Sequence, residues 1–166
     1  MRFAIGSLMT AATLLAPAAN ADCPQALAGF TKAQREARIA IYAVSSKDDK
    51  PTQEPWTVRI GDSVYINGIF NGLQPGFVKD DSTIFPYTYD FVSTQKRTVV
   101  CKVVGTQQYH GKPAIQIHVQ RSDRDKGNVV WFDSSSGLPV YQEDDDKQLA
   151  FAFVYGDAVR NPVVGR

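Results

Sequence analysis

The sequence predicts a mainly β, β-rich α+β domain: an antiparallel meander curved into a half-barrel, with one N-terminal helix packed on it. Three observations carry that expectation. Short runs of β-branched and aromatic residues recur along the chain, separated by polar turns rich in Asp, Ser and Gly. Only one stretch, 24–36, has apolar residues at helical spacing. The run 128–155, NVVWFDSSSGLPVYQEDDDKQLAFAFVY, packs three strand-like segments around two tight turns.

The chain opens with one early cation, Arg2, then an apolar run, then Ala19-Asn20-Ala21. These are the three parts of a secretory signal peptide, so residues 1–21 are expected to be removed and the product to be periplasmic or secreted. A membrane anchor needs roughly 20 unbroken apolar residues. Ser7, Thr10, Thr13 and Pro17 interrupt this stretch. Asp22, rather than a small residue, precedes Cys23, so a lipidated cysteine is not expected. Residues 22–160 then form a single β-rich domain, and 161–166, with Pro162 and Gly165, a short tail.

Asp22 can cap a helix and Pro24 suits its first turn. Over 24–36, Ala26, Leu27, Phe30, Ala33 and Ala37 recur on one side while Lys32 and Arg35 take the other, and Leu27 and Phe30 are expected to pack on the sheet. Strands follow at 38–45, 55–60 and 63–66, the last two as a hairpin about Gly61-Asp62. Residues 67–86 contain Gly68, Gly72, Pro75 and Gly76 and read as a long irregular loop. At 85–92, Phe85, Tyr87, Tyr89 and Phe91 alternate strictly with polar neighbours. Residues 98–109 and 112–120 form the next pair about His110-Gly111. Asn128–Asp133, 138–143 and 148–155 complete the meander. Pro139 lacks a ladder donor, which places it at an edge or at a strand's beginning. In 148–155, Leu149, Phe151, Phe153 and Tyr155 face one way and Ala150, Ala152 and Val154 the other.

Composition narrows the function. The formal charge is +1, and loss of Arg2 with the leader brings it to zero, so no long-range pull on nucleic acid or anionic membrane is expected. Cys23 and Cys101 are the two cysteines; in an exported protein an even count points to a disulfide, here tying the N-terminus to a mid-sheet strand. Without a Cys-x-x-Cys pair, thiol exchange has no support.

Catalytic constellations are thin. His110 and His118 are the two histidines and read as surface residues, leaving too few ligands for zinc. Asp123-x-Asp125-x-Gly127 begins a calcium-loop pattern but lacks its late Glu. Asp144-Asp145-Asp146 reads as a solvated turn. No Gly-x-Ser-x-Gly elbow and no phosphate-cradling glycine loop is present, so no enzyme, metal or cofactor is expected. The remaining signal is aromatic. Tyr87, Tyr89 and Phe91 on one strand and Phe151, Phe153 and Tyr155 on another, with Trp131 beside them, line either an ordinary core or an apolar cavity. Buried tyrosine hydroxyls need partners, which a cavity with polar tips supplies.

The segments Cys101-Lys-Val-Val-Gly105, His110-Gly-Lys-Pro-Ala114, Val130-Trp-Phe-Asp133 and Ser136-Gly-Leu-Pro139 together resemble small secreted bacterial proteins with the same order of Cys strand, turn and Gly-Leu-Pro hairpin. That pattern is similar to the second half of the outer-membrane lipoprotein carrier fold, an incomplete β-barrel closed by helices over an apolar cavity. The resemblance covers residues 99–155. It implies a fold and a cavity but no catalytic residue, and the chain lacks much of the carriers' length and their helical lid.

Two functions fit. One is a periplasmic non-enzymatic binding protein for a lipid, acyl chain or other apolar ligand. The other is an envelope interaction or assembly module that binds a protein partner through a strand edge or the 67–86 loop.

Overall fold

A computed structural model describes residues 23–45, 50–68, 76–80, 99–121 and 125–162. Helix α1 (Cys23–Arg35) precedes strands β1 (Arg38–Val44), β2 (Thr57–Ile60), β3 (Ser63–Asn67), β4 (Phe77–Asp80), β5 (Val99–Tyr109), β6 (Lys112–Arg121), β7 (Asn128–Asp133), β8 (Pro139–Asp144) and β9 (Ala150–Tyr155). The strands form one antiparallel sheet in the order β4-β3-β2-β1-β9-β8-β7-β6-β5. Two runs of sequential neighbours therefore meet where the first strand pairs with the last, from Ile39↔Tyr155 to Val44↔Ala150. The described residues are mainly β with one α-helix, as the residue pattern predicts, and among them the sheet is not closed into a barrel: β4 and β5 are its edges.

Register assigns the side chains to two faces. Ile39 and Ile41 lie on the helix side with Phe151, Phe153, Leu138 and Ala33 in one buried cluster. Ile117, Val119, Val130 and Phe132 lie under Ala26 and Phe30 in a second. Phe30 and Phe132 meet edge-to-face, centroids 5.5 Å apart, a favoured aromatic geometry. On the opposite face Ala40, Val58, Phe77 and Val159 form a third cluster. The small residues Ala40 and Ala152 are thus buried on the side away from the helix.

Three attachments fix α1 across the sheet. At its start, Cys23 is bonded to Cys101. A cross-link closing so long a loop removes roughly 4 kcal/mol of unfolded-chain entropy in the loop-closure account. In its middle, Gly29 sits so close to the β7–β8 turn that an added Cβ would lie 2.6 Å from both Gly137 O and the Phe132 ring. At its end, Arg59 on β2 donates to the carbonyl of Glu36, just past the helix, and to that of Ala33, which also accepts the Glu36 amide at 3.2 Å. Burial depresses the Arg59 pKa, partly offset by the nearby carboxylates of Asp62 and Glu36.

Several expectations need correction. The 67–86 stretch is not all loop: Phe77–Asp80 is a strand paired with β3 from Asn67↔Phe77 to Val64↔Asp80. Its residues Phe-Val-Lys-Asp carry too short a pattern to be seen. Leu27 is 44% exposed, because the helix buries Ala26, Gly29, Phe30 and Ala33 instead. Among the described residues Cys101 belongs to the last strand in the sheet order rather than a mid-sheet one. Pro139 begins β8, an interior strand, so of its two allowed positions it takes the strand start. Strand β9 begins at Ala150, leaving Leu149 53% exposed. Residues 1–21, the 85–92 strand and the end of the 161–166 tail lie outside the described residues.

The Arg59 attachment yields a direct expectation. Arg59→Met keeps the buried stem but removes the guanidinium donor from the Glu36 and Ala33 carbonyls at the helix end, so unfolding stability falls by about 2 kcal/mol. Urea denaturation measures this; a change within ~0.5 kcal/mol would show that the guanidinium does not hold the helix.

Candidate ligand-binding site

The β5–β6 connection is a two-residue turn, His110-Gly111, with φ of 48° and 76°. Two successive left-handed residues give the turn whose twist matches a hairpin, and glycine takes the second position without steric cost. The turn brings Tyr109 to the end of β5 over its neighbours. Trp131 and Tyr141 are directly opposite across β7 and β8, with ring centroids 4.9 Å apart and planes at 49°. Tyr109 stands 5.6 Å from Trp131 at 88° and 5.5 Å from Tyr141 at 39°. The three rings touch one another, so they form a platform rather than a cage with space between its walls. Burial raises the Tyr109 pKa, keeping the phenol neutral. The Trp131 indole N–H is shielded from solvent and has no acceptor among the described residues.

Two concavities adjoin this platform. A groove of about 600 Å³ is lined by Trp131, Tyr141, Gln107, Gln116, Glu143 and Lys147, and also touches Val44 and Ala150. Gln116 is the register partner of Trp131 on β6, which places its amide beside the rings. A slot of about 310 Å³ is lined by Ala114, Leu138, Val140, Phe153 and Tyr155, and is also bordered by Lys112, Asp133, Ser135 and Ser136. Tyr109 and His110 line both spaces. Volumes of this size suit small-molecule ligands.

Strand pairing accounts for the slot. The β8–β9 ladder runs from Glu143↔Ala150 to Tyr141↔Ala152 and stops, while β7 and β8 shift register between Trp131 and Phe132. Val140 therefore has no ladder partner on β9, and the slot opens beside it. A side chain spans the gap: the Tyr155 hydroxyl donates to Pro139 O at 2.6 Å. Burial, with Glu36 nearby, pushes the Tyr155 pKa well above its ordinary value, so this donor stays protonated.

Both ends of the site are braced. Asp133 Oδ1 accepts from the Ser135 hydroxyl at 2.6 Å, the Ser136 amide at 2.7 Å and the Ser135 amide at 3.1 Å. These bonds lower the Asp133 pKa to about 2, led by the Ser135 hydroxyl. At the other end, Asp145 accepts from the Gly127 amide at 2.8 Å and lies 3.0 Å from His118 Nε2. Asp146 pairs with Lys126. The acidic turn expected to be simply solvated is thus tied to the β6–β7 connection.

The expected cavity residues divide. Tyr87, Tyr89 and Phe91 lie outside the described residues. Phe151 is core: it is 5% exposed and packs on Trp56, centroids 5.7 Å apart. Phe153 and Tyr155 belong to the same cluster but also reach the slot. Trp131 does not join them. Register puts it on the opposite face, because β7 alternates Val130 and Phe132 toward the helix and Val129 and Trp131 away. Tyr109, Gln116, Tyr141 and Glu143 were not singled out by the sequence; their convergence exists only once four strands are in register. Among the described residues no helix is long and apolar enough to cross a membrane.

Comparison with protein-family models yields no match, and comparison with curated proteins yields none.

The Asp133 brace predicts a pH dependence of known sign. Its folded pKa lies below the ordinary 3.8. Its contribution is therefore complete above that value and is lost as pH falls toward the folded pKa. Urea midpoints of the wild type and Asp133→Asn should converge on acidification from pH 5 to about 2. Parallel midpoints across that range would remove the turn's carboxylate from the stability account.

Proposed function

We propose that the protein is an exported, non-enzymatic binding protein whose ligand has an apolar part. The single observation that supports this reading is the pair of adjoining concavities that share Tyr109 and His110. The slot offers Ala114, Leu138, Val140 and Phe153 to apolar surface. The groove beside it offers aromatic faces and hydrogen-bonding side chains. A ligand buried in the slot gains roughly 25 cal/mol for each Å² of apolar surface it removes from water. The leader-like residues 1–21 and the resemblance to lipoprotein carriers favour an envelope setting. Of the residues expected to line a cavity, Phe153 and Tyr155 border the slot and Trp131 the groove, while Phe151 is packed into the cluster under the helix.

The exposed valines of β5 favour a second reading. Val100, Val103 and Val104 are exposed on this strand. Apolar side chains left in solvent mark a surface on which a protein partner can dock. A photo-crosslinking residue at Val104 should then trap one defined partner in the envelope; crosslinks that are absent or unselective count against this reading.

The neutral apolar dye N-phenyl-1-naphthylamine tests the first reading. Val140→Asp puts a carboxylate in the slot, so dye affinity should fall about tenfold or more, while the urea midpoint changes little. Undiminished dye binding in this variant would place the apolar site elsewhere. Equal loss of binding and stability would make Val140 a packing position only.

A further inference from the structure

We infer that the groove recognises a neutral, polyhydroxylated ring: a saccharide, free or carried as the head of a lipid. This rests on the binding reading above and specifies the chemistry of its polar half. Three features of the groove select that class. The aromatic platform presents ring faces of Tyr109, Trp131 and Tyr141, and the C–H face of a sugar ring stacks on such surfaces. Around it stand Gln107 and Gln116, whose amides can donate to and accept from ring hydroxyls, and Glu143, whose carboxylate can accept from them. An acyl chain laid here would desolvate those same groups without replacing their bonds, a cost of roughly 1–3 kcal/mol for each.

Charge and spacing exclude the nearest alternatives. Among the described residues the groove's lining includes one carboxylate, Glu143, and one ammonium, Lys147, so neither an anionic nor a cationic head is favoured by their net charge. A quaternary ammonium sits between rings held apart around it. Here the centroids are only 4.9 to 5.6 Å apart, and the rings fill that space themselves. The Trp131 indole N–H has no acceptor among the described residues, and a ligand hydroxyl oxygen that reaches it would supply one.

The slot then decides the source. A free saccharide occupies the groove alone. A lipid-linked one also passes its chain by Tyr109 and His110 into the space beside Val140 and Phe153.

Tryptophan fluorescence of the full chain tests this. Trp56→Phe leaves Trp131 as the only indole, since the chain has two tryptophans. Maltose, cellobiose and N,N′-diacetylchitobiose are titrated to millimolar concentration, with dodecyl maltoside below micelle formation as the lipid-linked arm. At least one disaccharide should shift the Trp131 emission saturably. Gln116→Leu, close in shape to the original, should weaken that binding about tenfold while leaving naphthylamine binding in the slot unchanged. Tyr141→Ala should weaken it comparably. Tighter binding of dodecyl maltoside than of maltose, with the difference abolished by Val140→Asp, identifies a lipid-linked ligand; equal affinities identify a free one. If no saccharide binds while the dye does, the saccharide inference is overturned and the binding reading stands. If Gln116→Leu strengthens or leaves unchanged the binding of every saccharide probe, the inference is likewise overturned. If neither dye nor saccharide binds, both fail.

Discussion

The attachment of α1 at three points is the constraint on which the remaining structure depends. Cys101 on β5 holds its start, the β7–β8 turn meets Gly29 at its middle, and Arg59 on β2 receives its last carbonyls. These strands lie far apart in the sheet order, so the helix braces most of its width. Because the helix closes this face, the large side chains there become core. Phe30, Ile39, Ile41, Ile117 and Phe132 are at most 1% exposed. Ligand space must then come from the other face or from an interruption in the pairing.

Both sources are present, and they arise from register. The opposite position of Trp131 and Tyr141, with Gln116 next in line, assembles a platform and a polar neighbour from three adjacent strands. The premature end of the β8–β9 ladder leaves Val140 and Phe153 facing a gap that Tyr155 spans with its hydroxyl. The Asp133 and Asp145 braces hold the two adjoining turns, so the site is framed by hydrogen-bonded loops on a rigid sheet.

Much of the fold is legible in the residues because local chemistry agrees with it. Phe151, Phe153 and Tyr155 alternate with small residues and occupy the helix face, as period two requires. Gly111 and Gly137 mark turns in which φ is positive. The helix is legible from spacing, although Leu27 is not buried. Three things are hidden. Asn-Val-Val-Trp-Phe-Asp is apolar at four successive positions, so periodicity cannot say which side Trp131 takes; the helix contact of Phe132 decides it. The meeting of Tyr109 with Trp131 and Tyr141 depends on pairings between residues distant in sequence, and no local pattern encodes it. Strand β4 is missed for a third reason: four residues after Gly76 are too few to show a period.

The most direct measurement is native mass spectrometry of wild-type protein purified without detergent, before and after solvent extraction, beside the slot variant. The account expects the wild type to carry a reproducible extra mass that extraction removes and that the variant lacks. A bare polypeptide mass in the wild type, or the same adduct on both proteins, would contradict it.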